Sequence, residues 1–235
     1  MVDHFGTGIA NCRAYFRPIM KSTLLLLTAS LLLNLNTSAQ DDARSRAIVD
    51  KLVAKSKTWT SFEADFTTRL QSTKDKLDVK QTGTIKTKGK KFNLVLADNT
   101  IINDGTALYT YSKETNEVTI SDPAEMDQEL DPSKLFTMYE KGFKSQFVEE
   151  KADATGAMMQ TIKLFPTDAA AKPYHTIILT VDKTKEEARQ VQILYKDGNI
   201  VTYTLKRFVA NPALADALFV FDKTKYPGVA VNDMR

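Results

Sequence analysis

Apolar and polar side chains alternate through most of the chain after residue 60, and this alternation limits the fold more than any other feature. Successive side chains of a strand point to opposite faces, so each alternating segment predicts a strand with one apolar and one solvated face. Asp104-Gly105 and Asp197-Gly198 are typical of two-residue hairpin turns. Many short strands joined by hairpins predict a strongly curved antiparallel sheet or barrel. The predicted strands cover residues 62–70, 77–86, 92–96, 101–102, 108–111, 118–120, 144–150, 157–165, 176–182, 188–196 and 200–210.

Two segments break the strand pattern and predict helices. Residues 42–57 repeat apolar side chains at helical spacing with lysines on the other side, so this helix should lie on the sheet. A second helix is predicted at 132–141, because Asp131 is a good N-cap and Pro132 suits the first helical position. Its apolar residues are Leu135, Phe136, Met138 and Tyr139. Their pattern favours packing on a core, and the alternative is a movable apolar lid over a cavity.

The start of the chain has the pattern of a secretory signal peptide. Lys21 precedes an apolar run at 24–35, which is about half the length of a spanning helix. Small residues up to Ala39 follow, so we predict cleavage after Ala39. Met20 is a natural start for such a signal. We therefore expect residues 1–39 to be a leader and residues 40–235 to form a single domain.

Composition leaves little room for catalysis, metal binding or nucleic-acid binding. Cys12, the only cysteine, lies in the predicted leader, and His175 is the only histidine after it. The formal net charge is +3, and removing the three basic and one acidic leader residues leaves about +1. Phosphate binding needs a concentrated basic face, so this charge gives no case for nucleic acid. A lone histidine without partners predicts neither a metal site nor a catalytic centre, and we expect no cofactor.

Several short motifs, taken in order, resemble the LolA family of periplasmic outer-membrane lipoprotein carriers. Each motif is weak alone, but together they cover nearly all of the chain after the leader. The matching residues are Ser61-Phe62-Glu63-Ala64-Asp65-Phe66, Gly83, Lys88-Gly89-Lys90-Lys91-Phe92-Asn93, Asn103-Asp104-Gly105, Leu108-Tyr109-Thr110-Tyr111, Asp131-Pro132-Ser133-Lys134-Leu135, Phe219-Val220-Phe221, Pro227-Gly228-Val229 and Asp233.

The resemblance implies a fold and a function. The family fold is a mainly β structure, an incomplete antiparallel β-barrel of about eleven strands covered by an N-terminal helix and a mid-chain lid helix. The implied function is a monomeric, non-enzymatic periplasmic carrier that binds the acyl chains of lipoproteins in a hydrophobic cavity. Its implied partners are an inner-membrane lipoprotein-releasing ABC transporter and either the outer membrane or an acceptor there.

Strand alternation and the resemblance together predict which residues form the site. The predicted acyl-chain cavity consists of Phe62, Phe66, Phe92, Leu94, Leu96, Tyr109, Ile162, Ile177 and Leu179. The predicted lid residues are Leu135, Phe136, Met138 and Tyr139. Lys88 occupies the position of a family arginine that gates the lid, and lysine keeps the charge but lacks the planar five-donor group.

Two other classes of function stay open at this point. The first is an envelope lipid-binding or stress-sensing module that has the same fold and does not shuttle lipoproteins. The second is a lipid hydrolase, for which His175 is the one candidate general base. Loss of activity in His175→Ala would support the hydrolase.

Overall fold

The computed structural model describes residues 37–126 and 139–235, and one twelve-stranded sheet runs through both segments. Eleven of its strands coincide with the eleven predicted segments. The strands are β1 (Ser61–Ser72), β2 (Leu77–Lys88), β3 (Lys91–Leu96), β4 (Asn99–Asn103), β5 (Leu108–Ser112), β6 (Glu117–Ser121), β7 (Phe143–Ala152), β8 (Met158–Pro166), β9 (Tyr174–Asp182), β10 (Glu187–Tyr195), β11 (Asn199–Ala210) and β12 (Ala230–Asp233).

The strand order across the sheet is β12-β6-β5-β4-β3-β2-β1-β11-β10-β9-β8-β7. All neighbours are antiparallel except β12, which pairs in parallel with β6. The two ends of the sheet, β12 and β7, do not pair with each other. This arrangement confirms the predicted incomplete barrel. The twelfth strand was not predicted, because its four exposed residues are too few to show a period.

Helix α1 (Thr37–Ser56) confirms the predicted N-terminal helix. Val49, Leu52 and Val53 are at most 5% exposed and belong to one core with residues of β8, β9 and β10. Burying each of these aliphatic side chains stabilises the packing by about 1.5–3 kcal/mol. Ion pairs such as that from Lys51 to Glu186 add little, since exposed pairs contribute about 0–1 kcal/mol. None of the described helices combines the length and hydrophobicity that crossing a bilayer requires.

The segment after β11 covers the side of β3–β6 opposite to the helix-packed face. Asn93 Nδ2 donates a 2.6 Å hydrogen bond to the Leu218 carbonyl, which fixes a 3₁₀ helix (Asp216–Phe219) on β3. Phe219 is completely buried. Further along, Phe221 stacks on Tyr109 with ring centroids 5.5 Å apart. Aromatic burial of this kind holds the C-terminal segment on the sheet.

Gly83 of β2 lies beneath two larger side chains on neighbouring strands. A Cβ atom added there would lie 2.6 Å from Phe66 Cζ and 2.8 Å from Leu96 Cδ2. We expect Gly83→Ala to destabilise the fold by about 1–3 kcal/mol, because the added methyl group overpacks this contact. Urea unfolding measures the effect. Thr82→Ala, at an exposed neighbour, is the control and should change stability by less than about 0.5 kcal/mol.

Candidate functional site

The sheet has an inner face, on which α1 packs, and an outer face opposite to it. Residues directly paired across an antiparallel ladder point to the same side, so the register assigns every strand residue to a face. One row of paired residues runs from the α1 core to the far side of the sheet: Leu164, Ile177, Ile193, Val201, Leu70 and Val79. Because the first three belong to the same core as α1, the whole row lies on the inner face.

Eight of the nine predicted cavity residues lie on this inner face. Five are buried, namely Phe62, Phe92, Ile162, Ile177 and Leu179. Phe66, Leu94 and Leu96 are half-buried. The structure therefore brings residues from four strands, β1, β3, β8 and β9, onto one surface. Their role as contacts for an acyl chain stays a prediction.

Tyr109 is the exception, and its placement corrects the predicted set. Tyr109 pairs with Ile102, whereas its neighbour Leu108 pairs with Asn103 and through it with Phe92. Leu108 is thus the inner-face residue of β5, and Tyr109 lies on the outer face. There it stacks against Phe221, and burial raises the pKa of its hydroxyl. Both residues are apolar enough to face inward, so alternation within β5 could not choose between them.

Lys88 also lies on the outer face, because Thr87 beside it pairs with the inner-face residues Phe62 and Phe92. Its Nζ atom donates to the Leu214 carbonyl at 3.1 Å and lies 3.2 Å from Asp216 Oδ1. The hydrogen bond to the carboxylate lowers the pKa of Asp216. Lys88 therefore fastens the C-terminal segment to the outer face of the sheet, and a gating role for this residue stays a prediction.

Three of the predicted lid residues, Leu135, Phe136 and Met138, lie outside the described residues, as does most of the predicted helix 132–141. Tyr139 is described and is 1% exposed, in the same core as α1. Burial raises the pKa of its hydroxyl well above the usual value. The next residue, Glu140, accepts a hydrogen bond from Arg46 at its carbonyl and pairs with Lys57 at 2.6 Å. The chain entering β7 is thus fixed against α1.

Helix α1 covers only part of the inner face. Residues of β8, β9 and β10 beneath it are buried, whereas β1–β4 present a less covered apolar surface. Phe66, Leu94, Leu96 and Ile101 are half-buried there. Val79, at the end of the inner-face row, is 40% exposed. We refer to this inner-face surface of β1–β4 as the apolar trough.

The polarity of β1–β5 differs sharply between the two faces. The inner face of these strands carries no Asp, Glu, Lys or Arg, and its polar residues are threonines, serines, asparagines and one glutamine. The outer face of the same strands carries their charges, including Glu63, Asp65, Lys86 and Lys88. A surface with the composition of the inner face offers contacts to hydrocarbon and no charge to orient a polar head group.

A smaller cavity of about 280 Å³ lies between α1 and the ends of β8 and β9. Ile48, Leu52 and Val181 form its apolar part, and Lys51 and Glu186 pair at its rim. His175 lies elsewhere, exposed, with Nδ1 2.9 Å from Thr176 Oγ1. Within residues 37–126 and 139–235, no cluster of His, Cys, Asp and Glu has the geometry of a metal site.

An open antiparallel sheet with an apolar, partly covered inner face defines a class of lipid- and lipoprotein-binding folds. The sequence model of the outer membrane lipoprotein carrier protein LolA matches residues 57–222, and the chain belongs to this family. This match confirms the resemblance inferred from the motifs. No curated protein matches the sequence.

Solved structures share the fold at low sequence identity. An uncharacterized conserved protein from Thermus thermophilus is similar with a TM-score of 0.52 and 11% identity, over 81% of this chain and 99% of that chain. A LolA superfamily protein from Nitrosomonas europaea has a TM-score of 0.39 and 10% identity, over 76% of this chain and 98% of that chain. The likeness to the first of these shows the fold.

Proposed function

We propose that the chain is an exported periplasmic carrier that holds lipoprotein acyl chains against the apolar trough and shuttles them from the inner to the outer membrane. The uncharged inner face of β1–β5 carries this proposal. Contiguous apolar surface that stays exposed marks ligand-binding grooves, and Phe66, Leu94 and Leu96 are partly exposed neighbours on the inner face. A hydrocarbon ligand is the chemistry that such a surface matches.

The energetics of the cargo explain why a carrier is needed. Each methylene transferred from water to an apolar site gains about 0.8 kcal/mol. An acyl chain of roughly fifteen methylenes therefore gains on the order of 12 kcal/mol when it is fully sequestered. Free lipoproteins would cross an aqueous compartment extremely slowly at that cost. A trough that leaves its ligand partly accessible lowers the affinity and allows release.

The proposal assigns binding, not catalysis, to this chain. Its proposed partners are acylated lipoproteins, an inner-membrane ABC transporter that loads them, and the outer membrane or an acceptor there. Nothing in the trough requires a particular head group, since its polar residues are few and uncharged. Such a surface should accept different lipoproteins through their shared acyl chains.

A release experiment tests the carrier function. Inner-membrane vesicles that contain the transporter and a triacylated lipoprotein are incubated with ATP and the purified chain. We expect the lipoprotein to appear in the soluble fraction as a complex with the chain. The same lipoprotein with its acylated cysteine changed to serine is the control and should not be bound. Purified protein that retains free lipid but never a lipoprotein would contradict shuttling and favour the lipid-binding or stress-sensing alternative.

A further inference from the structure

The β1–β2 hairpin extends beyond β3 on one side, whereas on the other side β11 pairs with β1 as far as Ser72. Strand β2 pairs with β3 only through Gly83–Lys88, so Leu77–Thr82 pair with β1 alone among the described strands. Six residues of strand span about 20 Å. Every residue from Thr73 to Thr82 is exposed. We refer to residues 69–80 as the hairpin tip.

The hairpin tip combines exposed apolar residues with unpaired positive charge. Leu77 and Val79 are each 40% exposed and lie on the inner-face side. The tip has four basic and two acidic residues, a net charge of +2. Its basic residues are Arg69, Lys74, Lys76 and Lys80, and its acidic residues are Asp75 and Asp78.

Both carboxylates of the hairpin tip already accept hydrogen bonds from other residues of the tip. Asp78 forms a bidentate pair with Arg69, with Nε to Oδ1 at 2.7 Å and Nη2 to Oδ2 at 2.5 Å. Asp75 accepts a 2.7 Å hydrogen bond from the Ser72 hydroxyl. No salt bridge of the described chain involves Lys74, Lys76 or Lys80, and Lys80 lies near enough to Asp78 to help Arg69 lower the pKa of that carboxyl. Their charges are therefore available to an external anion.

We propose that the hairpin tip docks on an anionic phospholipid surface, with Leu77 and Val79 in the interfacial layer and Lys74, Lys76 and Lys80 at the head groups. Side chains of this kind are the parts of an interfacial anchor, because long lysine stems reach the phosphate level while apolar neighbours enter the acyl boundary. A lipid surface offers both the hydrocarbon and the negative charge that this tip matches.

The position of the tip links docking to the proposed carrier function, on which this inference rests. Leu77 and Val79 lie on the same inner face of β2 as Gly83, which pairs with Phe66 and Leu96 of the apolar trough. The inner face of β2 therefore connects the tip to the trough. An acyl chain that leaves the membrane at the tip can therefore enter the apolar trough with little exposure to water.

Vesicle flotation tests the docking surface with the full chain. The vesicles contain either phosphatidylcholine alone or equal parts of phosphatidylcholine and phosphatidylglycerol. We expect the wild-type chain to float with the anionic vesicles and to detach at high salt. The variant Lys74→Gln/Lys76→Gln/Lys80→Gln should bind roughly a hundredfold more weakly, because each of the three lysines near an anionic surface contributes about fivefold.

The matched control removes the same charge elsewhere. Lys90→Gln/Lys151→Gln/Lys185→Gln should bind the anionic vesicles within about twofold of wild type, because the strand register places these exposed lysines at the end of the sheet opposite to the tip. A second variant, Leu77→Ser/Val79→Ser, should also weaken binding, and both positions are exposed enough to leave the fold intact. Equal binding by the two lysine variants, or no binding of the wild type to anionic vesicles, would overturn the proposal.

Fatty-acid binding in solution separates this inference from the carrier function. The lysine variant should bind a fluorescent fatty acid as the wild type does, because the apolar trough is unchanged. A wild-type chain that docks on anionic vesicles through its lysines but binds no fatty acid would support the tip and refute the trough. A chain that binds fatty acid and does not bind anionic vesicles would support the trough and refute the tip.

Discussion

Replacing Leu96 with aspartate should strongly weaken acyl-chain binding by the apolar trough. Leu96 is half-buried on the inner face, where its side chain and that of Phe66 both lie over Gly83. An acyl chain in contact with this position would desolvate the new carboxylate, for which the inner face of β1–β5 offers no cation. We expect a loss of at least about 2 kcal/mol, or roughly thirtyfold in affinity. Titration with a fluorescent fatty acid measures the change.

Val95→Asp is the matched control, since it introduces the same charge one residue away. Val95 is 44% exposed and lies on the outer face, where the neighbouring strands already carry charged residues. Its affinity for the fatty acid should stay within about twofold of wild type. Urea unfolding of both variants separates lost binding from lost stability. Equal affinities of two folded variants would show that the inner face is not the binding surface.

Replacing Phe219 with alanine should strongly destabilise the protein. Phe219 is completely buried where the C-terminal segment packs on the outer face of the sheet. Removing a buried phenylalanine loses its transfer free energy and leaves a cavity, which together cost about 3–5 kcal/mol. The segment is also held by Lys88 and Asn93, so it should loosen as a unit. Urea unfolding gives the loss in stability.

The residue next to Phe219 provides the control for this prediction. Val220 is 56% exposed, so Val220→Ala should change the free energy of unfolding by less than about 0.5 kcal/mol. Folded Phe219→Ala, studied without urea, should still bind the fluorescent fatty acid, because the C-terminal segment lies on the face opposite to the trough. A stability loss that is equal in the two variants would contradict the assigned packing.

The positions of the elements follow from local sequence. A period of two marked β1 to β11, and helical spacing marked α1, because the face that a side chain occupies within one element depends only on its own backbone geometry. Hairpin turns do occur at Asp104-Gly105 and Asp197-Gly198, where both glycines have the positive φ that suits glycine, but the loops span residues 104–107 and 196–198 and are longer than the two residues predicted. The short β12 was missed, since it forms only by pairing with β6.

The choice of face depended on residues far apart in the chain. Phe62 lies between the polar residues Ser61 and Glu63, so alternation within β1 showed which side of that strand is apolar. In β5 both Leu108 and Tyr109 are hydrophobic enough to face inward, and Tyr109 turns outward. It does so where Phe221, more than a hundred residues later, covers it.

The sequence by itself determined α1, eleven of the twelve described strands and the family. Three features depended on the tertiary structure. They are the side of the sheet that α1 covers, the contact between Lys88 and the C-terminal segment, and the distance by which the β1–β2 hairpin extends past β3. The physical reason is that alternation fixes side-chain direction within a strand, whereas register and long-range packing relate one strand to the next.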